Sequence, residues 1–211
     1  MPIRQQPRRT ARILALLSLT QIRGDAEKLE QLDINDLLLG AIRSLTAEVE
    51  NALETASGEL NRSNDQVFKS ETRTTNVGSA KEMLKDAIAL TQKAINHLGN
   101  ILELPEFIQV AQQGQVREYA IELITTINRR HSEINQMLDD VMIDWKLNRL
   151  SLVDSNILRI AVAEMAFLQI EPKVAINEAV EIAKTYSDDD GFRFINGVLR
   201  KISDKLIKGK L

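Results

Sequence analysis

The strongest chemical signal in the chain is a short cluster of aromatic and basic residues near its C-terminal end. Tyr186, Phe192 and Phe194 are three of the chain's eight aromatic residues, and they fall within nine positions. Arg193 lies between the two phenylalanines, and Lys184 precedes the cluster. Single-stranded nucleic acid needs such a set, because a ring can stack on a base while a cation neutralises a phosphate. The alternative is that the phenylalanines belong to the core of a final helix.

The charge distribution would suit an RNA surface only at the two ends of the chain. Residues 1–24 carry five arginines and no acid, and residues 200–211 carry five basic residues against Asp204. The net charge is nevertheless −3, so the middle of the chain is acidic. A basic end on an acidic body can attract RNA, but basic ends can also serve solubility alone. Charge by itself therefore leaves both interpretations open.

Several kinds of chemistry are not supported by the residues present. The 211 residues include no Cys, which excludes disulfides, thiolate metal sites and a cysteine nucleophile, and the two histidines, His97 and His131, are isolated. No phosphate-binding glycine loop, G-x-S-x-G or His-Glu-x-x-His pattern occurs. The apolar runs are far shorter than the ~20 residues that span a bilayer. We therefore predict a protein of a reducing, aqueous compartment that is not an enzyme and uses no metal, cofactor or membrane.

Apolar residues recur at helical spacing along most of the chain, and only nine Gly and four Pro interrupt them. This pattern predicts an all-α protein. The polar stretch Ser57 to Gly78 is predicted to be a long mobile loop. The predicted helices cover residues 7–22, 35–53, 79–99, 116–145, 152–168, 174–186 and 192–207.

Local signals mark several of these helix ends. Ser79 and Glu82 have the spacing of a capping box, and Ser151 resembles an N-cap. Pro172 suits the first position of the following helix. Gly197 lies inside the last predicted helix, where glycine costs about 1 kcal/mol relative to alanine. We expect a close helix–helix approach at Gly197 to offset that cost.

Three motifs follow one another in the C-terminal half: ILRIAVAEM at 157–165, PKVAINEAVEIAK at 172–184 and FINGVL at 194–199. With these motifs the C-terminal half resembles the NusB family of transcription antitermination proteins. A looser match is RRTAR at 8–12. The strong resemblance covers about residues 148–203, and the ordered set of motifs is more specific than any one of them.

The resemblance implies a NusB-like helical bundle of two packed helical subdomains, with an enlarged helical insertion in the N-terminal half. Residues 1–23 would be the basic N-terminus and first helix of the NusB-like domain. Residues 24–114 would be a divergent insertion with helices and a polar loop, and residues 115–211 the C-terminal NusB-like subdomain.

The same resemblance implies a function in transcription. The chain would bind boxA-type single-stranded RNA together with small-subunit ribosomal protein ten (NusE). With RNA polymerase and other Nus factors it would suppress premature termination, chiefly of ribosomal RNA transcripts, in the cytoplasm or a plastid. The NusB-like domain of RNA cytosine methyltransferases is a poor alternative, because those enzymes need a catalytic Cys and a methyl-donor domain. A helical adaptor that binds only proteins is an alternative of a different class.

The resemblance also assigns roles to individual residues on one RNA face and one protein-binding face. Phosphates would be held by four arginines, namely Arg8, Arg9, Arg12 and Arg193. Stacking or apolar contacts would come from Tyr186 and Phe194, while Asp190 at the RNA edge would limit affinity. Thr20 and Glu164 would meet the protein partner, although Glu164 has the alternative interpretation of an ordinary exposed helix acid.

Overall fold

The computed structural model describes residues 7–22, 33–73, 76–142 and 146–209, and these contain helices and no strand. The all-α prediction is confirmed. In chain order the helices are α1 (Pro7–Thr20), α2 (Ile34–Thr72), α3 (Val77–Ile101), α4 (Leu104–Ala111), α5 (Gly114–Arg129), α6 (His131–Asp139), a 3-10 turn (Leu147–Arg149), α7 (Leu152–Ala166), α8 (Pro172–Tyr186) and α9 (Gly191–Ile207).

The chain forms two compact units. One consists of Met1–Ile42 and Val110–Leu211, and the other of Arg43–Gln109, so α2 begins in the first unit and continues into the second. These are spatial units, whereas the predicted boundaries at 23/24 and 114/115 came from family resemblance and stay a prediction.

Helix α7 is the centre of the first unit. It packs against α1, α5, α6, α8 and α9, and α8 packs in turn on α9. Apolar and small residues lie on nearly all sides of α7, so neighbours can cover it all round, as expected for a core helix. Among its fully buried side chains are Leu158 and Val162. This arrangement places the basic first helix and the C-terminal helices around one core.

The second unit contains the main error of the sequence prediction. The predicted loop from Ser57 to Gly78 is wrong for residues 57–72, because α2 continues without a break to Thr72. Ser63, a polar residue of this stretch, finds partners on α3: its hydroxyl donates to the Ala87 carbonyl at 2.8 Å and lies 3.0 Å from the Thr91 hydroxyl. The polar composition predicted a loop because it did not show that a polar side chain of α2 can form hydrogen bonds to a neighbouring helix.

Two other helix boundaries differ from the prediction. The expected helix over 116–145 is two helices, α5 and α6, separated at Arg130, where the backbone leaves helical geometry at φ −110° and ψ 20°. Residues 143–145 of that prediction lie outside the described residues. Helix α3 begins before the predicted capping box, because the Asn76 side chain caps it by accepting from the Gly78 amide.

The start of the C-terminal helices follows the sequence signals closely. The Ser151 hydroxyl accepts from the Asp154 amide and caps α7, as predicted. Pro172 occupies the first turn of α8, as predicted. The expected close approach at Gly197 is wrong for the described residues, since a Cβ there would meet nothing within 4 Å. The residue is exposed on α9.

Gly191 and Gly197, both in α9, are expected to respond oppositely to substitution by alanine. A Cβ on Gly191 would clash with the Ser187 hydroxyl, which donates to Asp154 at 2.5 Å. Gly191→Ala should therefore destabilise the fold by about 1–3 kcal/mol. Gly197→Ala should stabilise it by up to about 1 kcal/mol. Urea denaturation followed by circular dichroism measures both, and equal shifts of the same sign would contradict the assigned geometry.

Candidate nucleic-acid interface

Arg12 of α1 points into the protein rather than to solvent. Its Nε donates to both carboxylate oxygens of Glu164 on α7, at 2.8 and 3.1 Å. The two side chains are only 4% and 1% exposed. Helix α1, which carries three arginines and no acid, is thus held to the central helix by a buried ion pair.

Three further residues extend this pair into a charge cluster, which we define as Arg9, Arg12, Tyr119, Glu164 and Glu178. The Tyr119 hydroxyl on α5 donates to Glu164. Arg9 donates from Nε and Nη2 to the two oxygens of Glu178 on α8, at 2.8 and 2.7 Å. Arg12 Nη1 lies 3.5 Å from Glu178 as well. The charge cluster therefore links α1 to α5, α7 and α8.

The environment shifts the pKa of each acid in the charge cluster differently. Burial raises the pKa of Glu164, and the positive charge of Arg12 and the Tyr119 hydroxyl oppose that rise. The two hydrogen bonds from Arg9 hold the pKa of Glu178 below its ordinary value. Burial, followed by the contact with Glu164, raises the pKa of Tyr119. At neutral pH the Tyr119 hydroxyl thus stays protonated and able to donate.

These contacts decide which of the predicted N-terminal arginines can meet a ligand. Arg12 is buried, so its predicted role as a surface ligand for phosphate does not fit the structure. Arg9 is 27% exposed but already paired with Glu178. Arg8 is exposed, and its guanidinium carbon lies 5.1 Å from the centre of the Tyr119 ring. Within the described ranges no carboxylate pairs with Arg8, which leaves it the best placed of the three to bind phosphate.

The predicted C-terminal part of the site lies at the junction of α8 and α9. Tyr186 ends α8, and Phe194 lies in the first turn of α9; both are partly exposed. Phe192 is also partly exposed, with the Arg193 guanidinium 5.5 Å from its ring centre. The core position of this turn is instead Ile195, which is fully buried. Three aromatic rings are thus partly exposed at this end of the bundle.

Asp190 and Arg193 form an exposed ion pair at the same junction. Arg193 Nη1 donates to Asp190 at 2.8 Å, and the side chains are 73% and 84% exposed. Such a pair contributes little to stability in water. Asp190 is therefore exposed and paired with the arginine beside it, and its place at an RNA edge stays a prediction.

Helix α8 contacts one predicted half of the RNA face and carries part of the other. Arg9 of α1 contacts α8 at Glu178, eight residues before Tyr186, a separation of about 12 Å along the helix. Between them, Glu181 accepts from Lys184 at 2.6 Å. Acidic side chains therefore interrupt the basic surface along α8.

The two residues predicted to meet a protein partner differ in accessibility. Thr20 is partly exposed at the end of α1, where its hydroxyl donates to the Leu17 carbonyl at 2.9 Å. Glu164 is buried against Arg12 and Tyr119, so neither a direct partner contact nor an ordinary exposed acid fits this conformation.

Sequence reasoning missed Tyr119 and Glu178, which complete the charge cluster. Each lies on an amphipathic helix and has no local feature that sets it apart from neighbouring residues. One signal was present, since a helix with three arginines and no acid requires distant carboxylates if any of its arginines is buried.

Two negative findings concern the described residues only. They contain no group of His, Asp or Glu side chains arranged to hold a metal ion. No helix among them combines the length and hydropathy needed to cross a membrane.

Removing one partner of the Arg12–Glu164 pair is expected to lower the stability of the fold more than replacing both partners. Arg12→Met alone leaves a buried, unpaired carboxylate and should cost about 3–5 kcal/mol of stability. Adding Glu164→Gln should recover part of that loss, because the buried charge is removed as well. Urea denaturation gives the coupling energy, with Glu181→Gln of the exposed Lys184 pair as a control that should cost under about 1 kcal/mol. Strictly additive losses for the two buried substitutions would contradict the pairing.

Comparison with known proteins places the chain in a family. The NusB family profile matches residues 76–204. The chain is 61% identical over 206 residues to transcription antitermination protein NusB of Crocosphaera subtropica, covering 98% of this chain and 99% of that protein. The NusB of Gloeothece citriformis is 57% identical, with 98% and 97% covered. A solved T. maritima NusB structure is 23% identical and superposes with a TM-score of 0.54 over 98% of this chain and 99% of that one, which shows the same fold. On the family profile and the full-length identities, the chain belongs to the NusB family.

Proposed function

We propose that this chain is a transcription antitermination factor that binds boxA-type single-stranded RNA together with small-subunit ribosomal protein ten. Its place of action would be the cytoplasm, in a complex with RNA polymerase and other Nus factors. The single observation that carries the RNA-binding part is the grouping at the α8–α9 junction of the exposed Arg193 with the partly exposed rings of Tyr186 and Phe194. Membership of the NusB family supports the rest.

The proposed roles of the arginines follow from their exposure. Arg8 and Arg193 would contact phosphates, because both are exposed cations. Arg9 and Arg12 would act as positioning residues, because their guanidinium groups hold α1 against α7 and α8. The RNA would then pass from the start of α1 along α8 to the junction with α9. Glu178 and Glu181, on the intervening part of α8, would disfavour phosphate there.

The proposed protein-binding edge lies near Thr20, at the exposed end of α1. Glu164 would support that edge from beneath, by fixing α1 through Arg12, rather than by touching the partner.

A protein-binding adaptor without RNA binding is the second candidate, and one observation favours it. In the unit Arg43–Gln109, large apolar side chains are exposed at helical spacing on α3, including Ile88 at 60% and Ile95 at 61%. Exposed apolar surfaces of this kind mark protein interaction sites. An RNA titration separates the two candidates, because the adaptor predicts weak, salt-insensitive RNA binding.

Arg8→Gln is expected to weaken RNA binding and its salt dependence together. Losing one phosphate contact on a single strand should lower the slope of log K against log salt by about 0.7. Fluorescence anisotropy with labelled boxA RNA, with and without ribosomal protein ten, measures affinity over a salt series. Arg129→Gln, an exposed arginine on α5, is the matched control and should leave the slope unchanged. If both variants behave like the parent chain at every salt concentration, Arg8 is not a phosphate ligand.

Asp190→Asn is expected to leave RNA affinity equal or to raise it. The substitution removes a negative charge from the RNA edge and releases Arg193 from its ion pair. The same anisotropy titration measures the change, and a thermal melt checks that the fold is retained. A marked drop in affinity with an unchanged melting temperature would show that Asp190 itself makes a favourable RNA contact.

A further inference from the structure

An open cavity of 550 Å³ lies in the first unit, apart from the charge cluster. The end of α1, the end of α5, helix α6, the 3-10 turn and the start of α7 surround it. Its apolar wall includes Leu19, Ile22, Ile127 and Leu147. Its polar side is formed by Arg159 of α7 with Asn135, Ser155 and Asn156. None of these residues has a role in the proposed RNA surface.

Arg159 is a largely buried cation whose hydrogen bonds go only to neutral groups in the described part of the chain. Nε donates to Asn135 at 3.0 Å, and Nη1 lies 2.9 Å from Asn156 Oδ1 and 3.4 Å from Ser155 Oγ. These three contacts occupy three of the five N–H groups of a guanidinium. The two N–H groups on Nη2 remain, and no described carboxylate lies within ion-pair distance of Arg159. Burial without a neighbouring anion lowers its pKa.

Asn156 supplies a second unused donor in the cavity wall. The residue is 4% exposed, and its Nδ2 has no hydrogen-bond partner among the described residues. Its orientation is fixed chemically, because Arg159 can only donate and the amide oxygen must therefore face it. A buried amide donor left without an acceptor costs about 1–3 kcal/mol. The buried Nδ2 thus lacks an acceptor, and the unused N–H groups of Arg159 favour a negatively charged one.

The charge of the cavity wall indicates how many charges the ligand carries. The ionic side chains that line it are Arg159, Lys146 and Asp139, and Asp139 accepts from the Leu147 amide at 3.2 Å. Their sum of one positive charge matches a monoanion better than a phosphate dianion. The apolar wall suits a hydrocarbon group attached to that anion.

We propose that this cavity binds a carboxylate carried on an apolar stem, with the carboxylate on Arg159 Nη2 and the stem against Leu19, Ile127 and Leu147. The carboxylate belongs either to a small molecule or to the glutamate side chain of a protein. This site is separate from the proposed RNA surface, so it holds or fails independently of RNA binding.

The test titrates the full-length chain with hexanoate and, in a second arm, with glutamate blocked at both termini as amides. Binding is followed by the NMR shift of the Arg159 Nε–H resonance, and hexanamide is the uncharged control. Saturable shifts with hexanoate and none with hexanamide are expected. Preference for hexanoate indicates a small-molecule ligand, whereas preference for blocked glutamate indicates a protein side chain. No saturable binding in either arm, or equal binding of hexanamide, would overturn the proposal.

Two variants at the cavity mouth avoid the risk that an Arg159 substitution unfolds the core. Lys146 and Leu152 are both exposed, Leu152 by 41%. Leu152→Glu places a carboxylate at the mouth and should weaken hexanoate binding by about tenfold, and Lys146→Gln by a smaller factor. Lys81→Gln, an exposed lysine outside the lining, is the control and should bind as the parent does. If Leu152→Glu binds hexanoate as tightly as the parent chain, hexanoate binds outside this cavity and the proposal is overturned.

Discussion

The position of the first helix depends on one buried ion pair, between Arg12 and Glu164. A guanidinium in the interior is stable only where a carboxylate and further hydrogen bonds compensate for lost hydration. Here Glu164 supplies the carboxylate, and the Tyr119 hydroxyl occupies a further acceptor site on it. The pair therefore fixes where α1 lies on α7 as well as holding it there.

The same helix divides its arginines between structure and surface. Arg9 and Arg12 are three residues apart and both turn toward acids of the C-terminal helices, whereas Arg8 stays exposed against the Tyr119 ring. A net charge count over residues 1–24 treats these arginines as equivalent, yet their exposed fractions separate them. Helix α1 is thus in part an internal element of the fold, and of its three arginines Arg8 is the one that is exposed and has no carboxylate partner among the described residues.

The sequence predicted most of the fold because helical periodicity and capping are local properties. Ser151 and Pro172 mark the starts of α7 and α8 within a few residues, and the structure agrees. The failure at residues 57–72 has a nonlocal cause. Ser63 reads as a loop residue by composition, but its hydroxyl is satisfied by α3, 24 residues further along the chain. A short stretch of sequence around Ser63 therefore does not include its hydrogen-bond partner.

The candidate site was predictable in its residue types and only partly in its geometry. Aromatic and basic residues at the α8–α9 junction are near each other in sequence, so their grouping followed directly. The partners of Arg9 and Arg12 lie 169 and 152 positions away, beyond any local pattern. The sequence motif around Arg159 predicted a helix and gave no role to the arginine. The structure adds that two N–H groups of its guanidinium have no acceptor among the described residues. An arginine's role therefore follows from the acceptors that surround it, and in this chain Arg8, Arg12 and Arg159 differ in those acceptors.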